Sequence, residues 1–413
     1  MTDIVLITPG QPSSNPRLVK ETLALKEAGY TVTVIFSFWA DWADAPDKVL
    51  FRQHPEIRWI RAGGHPREQP LLYWYTRIRH KVYRMLAGRR PTSAWWLKRA
   101  EFRCYDETKR KALQTRGDLY IAHNLGALAP AAEAARRHGT KYGFDAEDYH
   151  RGQPATGSAQ AATIAVLEER YLPGTSYCTA ASPLIGLAYH KDFPGVNPLV
   201  INNVFSIRHL QPAPAPYLKG QPLKLFWFSQ TVGRDRGLET LIAAIGRNRD
   251  LEIEVTILGF CTPEEKERLL SLAKASQVRE DRIHFHDPVP PDDLFAIAHR
   301  HHIGLAMESC KTLNSSWALA NKIFTYLLAG LAIAATDTPA QKKFFLAHPD
   351  TGSLYGDGDD SALAALLQSL AGNPDTLNLY REKGRELART EFNWEKEKLA
   401  FLDKVATVIK AAE

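Results

Sequence analysis

Short apolar runs alternate with amphipathic segments along most of the chain, and this alternation predicts a parallel α/β fold. The first run, DIVLIT, is followed by a polar loop and then by RLVKETLALKEAGY, in which apolar residues recur at helical spacing. Further strands are predicted at TVTVIFSF, DLYIAHN and KYGFDAE, with an alanine-rich helix between the last two. Because strands alternating with helices build βαβ units, we expect a parallel sheet covered on both faces.

A second series of the same kind follows a proline-rich stretch, HLQPAPAPYLKGQPLK, and includes the strands LKLFWFS, IEVTILGF, IGLAME and LAIAATD. A length of 413 residues also favours two domains. We therefore predict a first domain over residues 1–205, a linker over 206–222 and a second domain over 223–390. A last helix within 391–413 is expected to pack back on the first domain, the alternative being the second domain. Residues 41–113 interrupt the alternation and are predicted to be an insertion of loops and helices.

Composition and charge narrow the class of protein. No apolar run approaches the roughly 20 residues that span a bilayer, and DIVLIT reads as a strand rather than a signal peptide. The four cysteines show no C-x-x-C spacing, which favours a reducing cytoplasm. The net charge of +6 is concentrated: residues 71–111 hold twelve Lys and Arg against three acids, so the remainder is slightly acidic.

Two segments of the second series are candidate anion sites. In NKIFTYLLAGLAIAATD, Asn321 is predicted to cap a helix that ends at Gly330, and Lys322 adds a positive charge to an end already positive through the helix dipole. In FSQTVGRDRGLETLI, Arg234 and Arg236 precede another helix start, and paired guanidinium groups suit phosphate oxygens. The alternative for the first segment is that Lys322 is solvated and Asn321 only caps the helix. The alternative for the second is that Arg234 and Arg236 are ordinary surface arginines.

Six segments, in chain order, resemble those of glycosyltransferase family 4, a group of retaining sugar-nucleotide transferases with the GT-B fold: SSNPRLVKETLALKEAGYTVTVI, DLYIAHNLGAL, FDAEDYH, PLVINNVF, RDRGLETLIAAI and NKIFTYLLAGLAIAATD. The resemblance covers nearly the whole chain. It implies two Rossmann-like, doubly wound parallel-sheet domains that face a cleft, and an enzyme that transfers a hexosyl or related group without a metal ion.

The resemblance also implies roles for single residues. Arg236, assisted by Arg234, would neutralise the donor diphosphate, while Lys322 and the amides near Asn321 would hold its other side. His123, at the end of a first-domain strand, would be the catalytic residue facing the donor sugar; the alternative is a buried loop histidine. Further contacts implied for the donor nucleotide or sugar are Ser229, Gly259, Glu308 and Thr325, and on the acceptor side Gly10, Asn15 and Arg17. The alternative for Arg17 is a surface residue in the first helical turn.

The sequence departs from the family pattern at four positions. Two glutamates of the family, eight residues apart, fall at Trp317 and Thr325. The family has a further arginine five residues before the position of Arg236, and Thr231 stands there in this chain. The family's glycine beside that arginine is replaced by Gln230. Glu308 is the nearest upstream carboxylate, but it does not align with either glutamate.

The basic segment between Leu71 and Lys111 is rich in aromatic residues, including Trp95 and Trp96 near Arg89 and Arg90. Aromatic rings suit a bilayer interface and arginines attract anionic lipid, so we expect a peripheral membrane contact here. The alternatives are a solvated basic helix whose aromatics fill the first domain's core and, third, single-stranded nucleic acid. No nucleic-acid motif is recognisable.

The sequence thus predicts a cytoplasmic enzyme, at the inner face of the cell membrane if the membrane contact forms. It would move a sugar from a UDP- or GDP-sugar to a glycan or lipid-linked glycan in surface polysaccharide or lipopolysaccharide biosynthesis. Arginine, lysine and helix amides can stabilise the leaving diphosphate, so no cofactor and no metal ion are expected. Alternatives are a catalytically silent protein that binds a glycan or a partner transferase, and a sugar-nucleotide epimerase with the same fold.

Overall fold

The computed structural model describes residues 2–87, 93–155 and 157–411. The chain divides into two compact domains, Met1–Ile201 with Lys398–Glu413, and Asn202–Glu397. The break at Ile201 precedes the predicted one at 205, and the return to the first domain comes at Lys398 rather than at 391. Within the first domain, Lys398 pairs with Glu27 at 3.0 Å, and the Lys141 ammonium donates to the Val408 carbonyl at 3.0 Å.

The first domain is a parallel seven-stranded sheet in the order β3-β2-β1-β4-β5-β6-β7 with helices on both faces. Its elements are β1 Asp3–Ile7, α1 Pro16–Glu27, β2 Thr31–Ser37, α2 Asp44–Gln53, β3 Arg58–Ala62, α3 Pro70–Ala87, α4 Ala94–Glu101, α5 Tyr105–Gln114, β4 Leu119–His123, α6 Leu125–His138, β5 Lys141–Ala146, α7 Ala159–Tyr171, β6 Tyr177–Ala180, α8 Pro183–Asp192 and β7 Leu199–Val200.

The segment 41–113 is not wholly an insertion of loops and helices, and that prediction was wrong at one strand. Arg58–Ala62 forms β3, which pairs with β2 so that Ala62 lies opposite Ser37. Its sequence, RWIRA, places two arginines around a Trp-Ile pair, and most of its residues are half-buried, as suits an edge strand with one partner. The rest of the segment supplies helices α2 to α5.

The second domain is a parallel six-stranded sheet in the order β10-β9-β8-β11-β12-β13. Its elements are β8 Leu223–Thr231, α9 Leu238–Arg247, β9 Ile253–Phe260, α10 Pro263–Ala275, β10 Ile283–His286, α11 Pro291–Ala298, β11 Ile303–Ala306, α12 Leu313–Trp317, α13 Asn321–Ala329, β12 Ala332–Thr336, α14 Pro339–Ala347, β13 Gly352–Tyr355, α15 Asp360–Gly372, α16 Pro374–Thr390 and α17 Trp394–Lys410, whose last part from Lys398 belongs to the first domain.

Both sheets reverse their strand order at one place. In the first domain β1 has β2 on one side and β4 on the other, and in the second β8 lies between β9 and β11. In open parallel sheets, ligands bind beyond the carboxyl ends of the strands at such a switch point. The loops after β1, β4, β8 and β11 are therefore where a site is expected.

None of the helices over the described ranges combines the length and the apolar character that a bilayer crossing requires.

Candidate functional site

One of the two predicted anion sites, the loop that contains Arg234 and Arg236, lies at the switch point of the second domain. Arg236 lies in it, just before α9, and its guanidinium donates to the Ser229 hydroxyl at 3.3 Å and to the Thr231 hydroxyl at 3.5 Å. The next residue, Gly237, has φ of 79°, and a Cβ there would approach the Met307 Cβ to 2.7 Å. Only glycine fits this turn, which fixes the direction in which the Arg236 side chain leaves the backbone.

Lys322, on the first turn of α13, reaches the same region. Its ammonium donates to Glu308 Oε1 at 2.6 Å, and Glu308 lies two residues after the end of β11. The Thr336 hydroxyl, at the end of β12, donates to the Glu308 carbonyl at 2.6 Å and holds this loop in place. The charge pair therefore lies at the carboxyl ends of two neighbouring strands.

Glu308 connects the two predicted phosphate residues electrostatically. Burial raises the pKa of this carboxyl, but the charges of Lys322 and then Arg236 outweigh it and hold the pKa below its ordinary value. Two cations thus act on one ionised carboxylate. We refer to Arg236, Glu308 and Lys322 as the donor-side cluster.

Arg234, which was predicted to assist Arg236, lines a cavity of about 490 Å³ beyond the ends of β11, β12 and β13. Met307 and Ser309, on either side of Glu308, line the same cavity, so it adjoins the donor-side cluster, and the assisting role of Arg234 stays a prediction. The charged residues around the cavity are the cations Arg234, Arg268 and Lys311 and the acids Asp235, Glu239 and Asp357. Because Asp235 pairs with Lys311, and Glu239 with Arg268, most of this charge is already neutralised within the cavity wall.

One prediction about α13 is wrong in detail. Asn321 is the first helical residue rather than the cap, since Ala320 holds the extended cap conformation and no side chain caps the helix. Thr325 is buried, and its hydroxyl donates to the Asn321 carbonyl at 3.3 Å, while its contact with the donor stays a prediction. Threonine satisfies itself on its own helix, where glutamate would have had to extend outward. Trp317 is the last residue of the short helix α12.

Ser229 and Gly259 lie next to each other across β8 and β9. A Cβ at Gly259, where φ is 154°, would come within 2.3 Å of the Ser229 carbonyl oxygen. Glycine is therefore required by the approach of two backbones. Ser229 in turn accepts from Arg236, so both residues support the arginine loop.

The switch point of the first domain holds a buried charge network. Arg17, on the first turn of α1, donates to Asp145 through Nε at 2.6 Å and Nη2 at 2.7 Å. Its third nitrogen donates to the Ile201 carbonyl, and the Thr179 hydroxyl donates to Asp145 at 2.6 Å. The exposed fractions of Arg17 and Asp145 are 2% and 1%. The surface alternative for Arg17 is therefore wrong, while its acceptor-side role stays a prediction.

His123 lies in the same network. Its Nδ1 is 3.2 Å from Asp145 and 3.3 Å from Glu147, and its Nε2 is 3.2 Å from Glu21. Asn15 caps α1 by accepting from a backbone amide and donates through its own amide to Glu147. The imidazole is completely buried among carboxylates, which favours the buried-histidine alternative over a catalytic role.

The charges of this network shift the pKa values of His123 and Glu21. Burial lowers the pKa of His123, but Glu21, Asp145 and Glu147 raise it well above its ordinary value. Burial raises the pKa of Glu21, and the nearby Asp145 raises it further, while His123 and Arg17 oppose this rise without cancelling it.

Sequence reasoning missed the acidic half of this network. Arg17 and Glu21 are four residues apart, so they lie on the same face of α1 as its apolar residues. An oppositely charged pair on that face was the sequence signal that could have indicated a buried charge network. Gly10, the remaining predicted acceptor residue, lies in the loop after β1, where its carbonyl accepts from the Ser37 amide at 3.4 Å.

Among the described residues, Glu21, His123 and Asp145 have the spacing of a metal site, with potential ligand atoms within 4.8 Å of one another. The Arg17 guanidinium, however, already donates twice to Asp145 and lies 3.6 Å from Glu21. A divalent cation would have to displace this internal cation. The donor set fits an ion-pair network better than a metal centre.

The pH dependence of stability should report on this network. Because folding raises the pKa of His123 above 6.5, the folded state keeps a proton that the unfolded chain releases. This stabilisation is complete below about pH 6.5 and is lost as the pH rises through the folded pKa. We expect the thermal midpoint in calorimetry to fall between pH 6 and pH 9, and to fall less in His123→Gln. Equal slopes in the two proteins would contradict the assignment.

Two of the four residues predicted to contact a membrane, Trp95 and Trp96, lie within the described part of the chain. Trp95, on α4, is 50% exposed, and the Arg99 guanidinium lies 4.1 Å above its ring centroid. Trp96 packs edge-on against Trp95, with ring centroids 4.7 Å apart. Arg89 and Arg90 lie outside the described residues.

Comparisons with known proteins agree with this architecture. Residues 234–403 match a family model described as glycosyl transferase-like. No curated protein sequence matches the chain. Among solved structures, a sucrose-phosphate synthase from Thermosynechococcus elongatus is similar with a TM-score of 0.71 at 17% identity, over all of both chains.

Two further structures are similar over nearly their whole length. HepE from Anabaena in complex with UDP has a TM-score of 0.70 at 14% identity, covering 98% of this chain and 100% of that one. A glycosyltransferase from Rickettsia africae has a TM-score of 0.67 at 12% identity, covering 99% of each chain. At these identities the likeness shows the fold. The chain has the GT-B fold, with two parallel-sheet α/β domains, and its residues 234–403 are glycosyl transferase-like.

Proposed function

We propose that the protein is a retaining glycosyltransferase of the family 4 type that takes a sugar from a nucleotide-diphosphate donor. The acceptor is a glycan or lipid-linked glycan of surface polysaccharide or lipopolysaccharide biosynthesis, and the enzyme works in the cytoplasm. The donor-side cluster carries this proposal. Arg236 and Lys322 come from separate elements, yet both act on Glu308 at the switch point of the glycosyl transferase-like segment.

The chemistry requires a site that stabilises negative charge as the nucleoside diphosphate leaves. Lys322, Arg236 and the amide end of α13, where the helix dipole is positive, provide it. A diphosphate would compete with Glu308 for the Lys322 ammonium. The freed carboxylate can then accept a hydrogen bond from a sugar hydroxyl, a role left open by the departures at Trp317 and Thr325. No metal ion is needed for these steps.

The comparisons make a uracil nucleotide the first donor to test. The solved structures of HepE contain UDP, UDP with glucose, and UDP-glucose, and a TarM structure from S. aureus also contains UDP. GDP-sugars remain the second choice. The catalytic role first predicted for His123 stays a prediction, and its carboxylate contacts favour a role in holding the loop after β4.

A catalytically silent GT-B protein is the second candidate. The buried Thr325 favours it, because no carboxylate of α13 then reaches a ribose or a sugar. Such a protein would bind a glycan or a partner transferase without turning over a donor. A sugar-nucleotide epimerase would instead convert the donor with no acceptor present.

Calorimetry with UDP-glucose, other UDP-sugars and GDP-sugars tests the proposal. We expect micromolar to millimolar binding of at least one donor, unchanged by EDTA, and an affinity at least tenfold lower in Arg236→Ala because a charged contact to phosphate is lost. Arg279→Ala is a matched control, since Arg279 is an exposed arginine of the same domain that pairs with Asp281.

The outcomes separate the candidates. Binding of no donor contradicts the proposal and favours the silent protein. Donor binding with equal affinity in Arg236→Ala contradicts the donor-side cluster. Epimerisation of the bound donor in the absence of an acceptor favours the third possibility.

A further inference from the structure

Helix α3 of the first domain exposes an apolar face to solvent. Six large apolar side chains on it are between 44% and 88% exposed: Leu71, Trp74, Tyr75, Ile78, Val82 and Met85. Their spacing follows one face of an α-helix over four turns. Single exposed apolar residues are common on protein surfaces, but a continuous stripe of this kind indicates a surface that another body covers.

The opposite face of α3 is firmly packed, so the exposed stripe is not a consequence of a loosely attached helix. Tyr73, Thr76 and Ala87 are buried. Arg79 pairs with Glu107 of α5 through both guanidinium nitrogens, at 2.9 and 2.6 Å. The helix is therefore fixed in the domain with its apolar stripe outward.

A row of cations runs beside the stripe. Arg77, Lys81 and Arg84 are exposed and follow each other at intervals of four and three residues, on one flank of the apolar face. The helix contains no acidic residue. An apolar face with a basic flank is the arrangement of helices that lie in the interface of an anionic bilayer.

We propose that the face of α3 formed by the apolar stripe and its basic flank is the surface by which the first domain binds an anionic lipid bilayer. This deepens the proposed function and rests on it for its purpose, because a lipid-linked acceptor is presented at such a surface. The apolar side chains enter the interfacial region, while the three cations reach the lipid headgroups. Trp95, which contacts Tyr83 of α3, extends the same surface.

The charge distribution favours a bilayer over a second copy of this chain. A self-complementary dimer repeats the same patch on both partners. Pairing α3 with itself would place cations against cations, with no acid on either helix to compensate. An anionic bilayer compensates the same cations.

Vesicle co-sedimentation with the full chain tests the proposal. The probes are vesicles of phosphatidylcholine alone and with about a third of phosphatidylglycerol. We expect binding to the anionic vesicles that weakens with salt, and little binding to the neutral ones. Lys81→Gln with Arg84→Gln should weaken binding on the order of twentyfold, because each cation near an anionic surface contributes a factor of about five. Trp74→Ser with Ile78→Ser should abolish binding at any salt concentration.

Controls of matched chemistry lie elsewhere in the first domain. Arg136→Gln with Arg137→Gln removes two exposed cations from α6, and Leu187→Ser removes an exposed leucine from α8. Both should bind vesicles as the wild type does. All four substituted positions on α3 are exposed, so the thermal midpoint should stay unchanged and loss of binding cannot be attributed to unfolding.

Three results would overturn the proposal: no binding of the wild type to anionic vesicles, equal loss in the control variants, or a dimer that Trp74→Ser with Ile78→Ser dissociates while vesicles bind neither protein. The test uses neither donor nor acceptor. Vesicle binding without donor binding therefore contradicts only the proposed function, and donor binding without vesicle binding contradicts only the membrane surface.

Discussion

Replacing Arg17 with methionine is expected to destabilise the first domain by about 3–5 kcal/mol, because it takes from the buried Asp145 its two guanidinium bonds and leaves only the His123 imidazole to balance its charge. Methionine keeps much of the side-chain volume, so the loss reports the charge rather than a cavity. Amide hydrogen exchange is the suitable measurement, since it resolves the two domains within one molecule. Protection should fall in β1, β4 and β5, while β8 to β13 serve as an internal reference.

Two further variants make this test specific to charge. Arg136→Met removes an exposed arginine of the same domain and should cost less than about 0.5 kcal/mol. Adding Asp145→Asn to Arg17→Met removes this buried charge and should recover part of the lost stability. A loss below about 1 kcal/mol in Arg17→Met, or no recovery in the double variant, would show that the pair does not hold this domain together.

Replacing Lys322 with methionine is expected to lower the affinity for the donor diphosphate about 30- to 100-fold, which corresponds to about 2–3 kcal/mol for one charged contact. Glu308→Gln should have the opposite sign for UDP alone, because it removes the carboxylate that holds the Lys322 ammonium at 2.6 Å. Calorimetry with UDP measures both. For UDP-sugar turnover, Glu308→Gln should instead lower the rate if the carboxylate receives a sugar hydroxyl.

Lys311→Met provides the comparison for Lys322→Met. Lys311 lines the same cavity as Arg234 and pairs with Asp235 rather than with Glu308. Its loss should leave UDP affinity within about threefold of the wild type. Should Lys311→Met and Lys322→Met weaken UDP equally, the diphosphate would extend into the cavity, and this would support the role predicted for Arg234.

The alternation of apolar strands and amphipathic helices was sufficient to predict two parallel α/β domains. Runs such as DIVLI and IEVTILGF are rich in apolar residues and are buried along most of their length, as central strands require, and the break between the two series is marked by prolines. The edge strand RWIRA was missed, because an edge strand has one partner and its charged residues carry no strand signal. That β3 pairs with β2 depends on the tertiary structure and cannot be derived from the few residues of the strand itself.

For the candidate site, the sequence alone identified Arg236 and Lys322 as candidates. Each is a cation at the start of a predicted helix, where the helix dipole and the backbone amides already favour an anion. It could not show that Arg234 lines a cavity while Arg236 donates to the Ser229 and Thr231 hydroxyls, since these contacts depend on how the strand ends are arranged. Nor could it show that Glu308 joins the two cations, because Glu308 and Lys322 meet only when β11 and the start of α13 are in place.

The tertiary structure alone also decided what is buried and what is exposed. It placed Arg17 and His123 inside the first domain, among carboxylates brought by β5 and α1, where sequence reasoning had expected a loop or a ligand. It left the apolar stripe of α3 uncovered, where periodicity alone would have placed that stripe in the core. Local spacing sets which residues share a face of a helix or strand, but only the packing of the other elements determines whether that face meets protein or solvent.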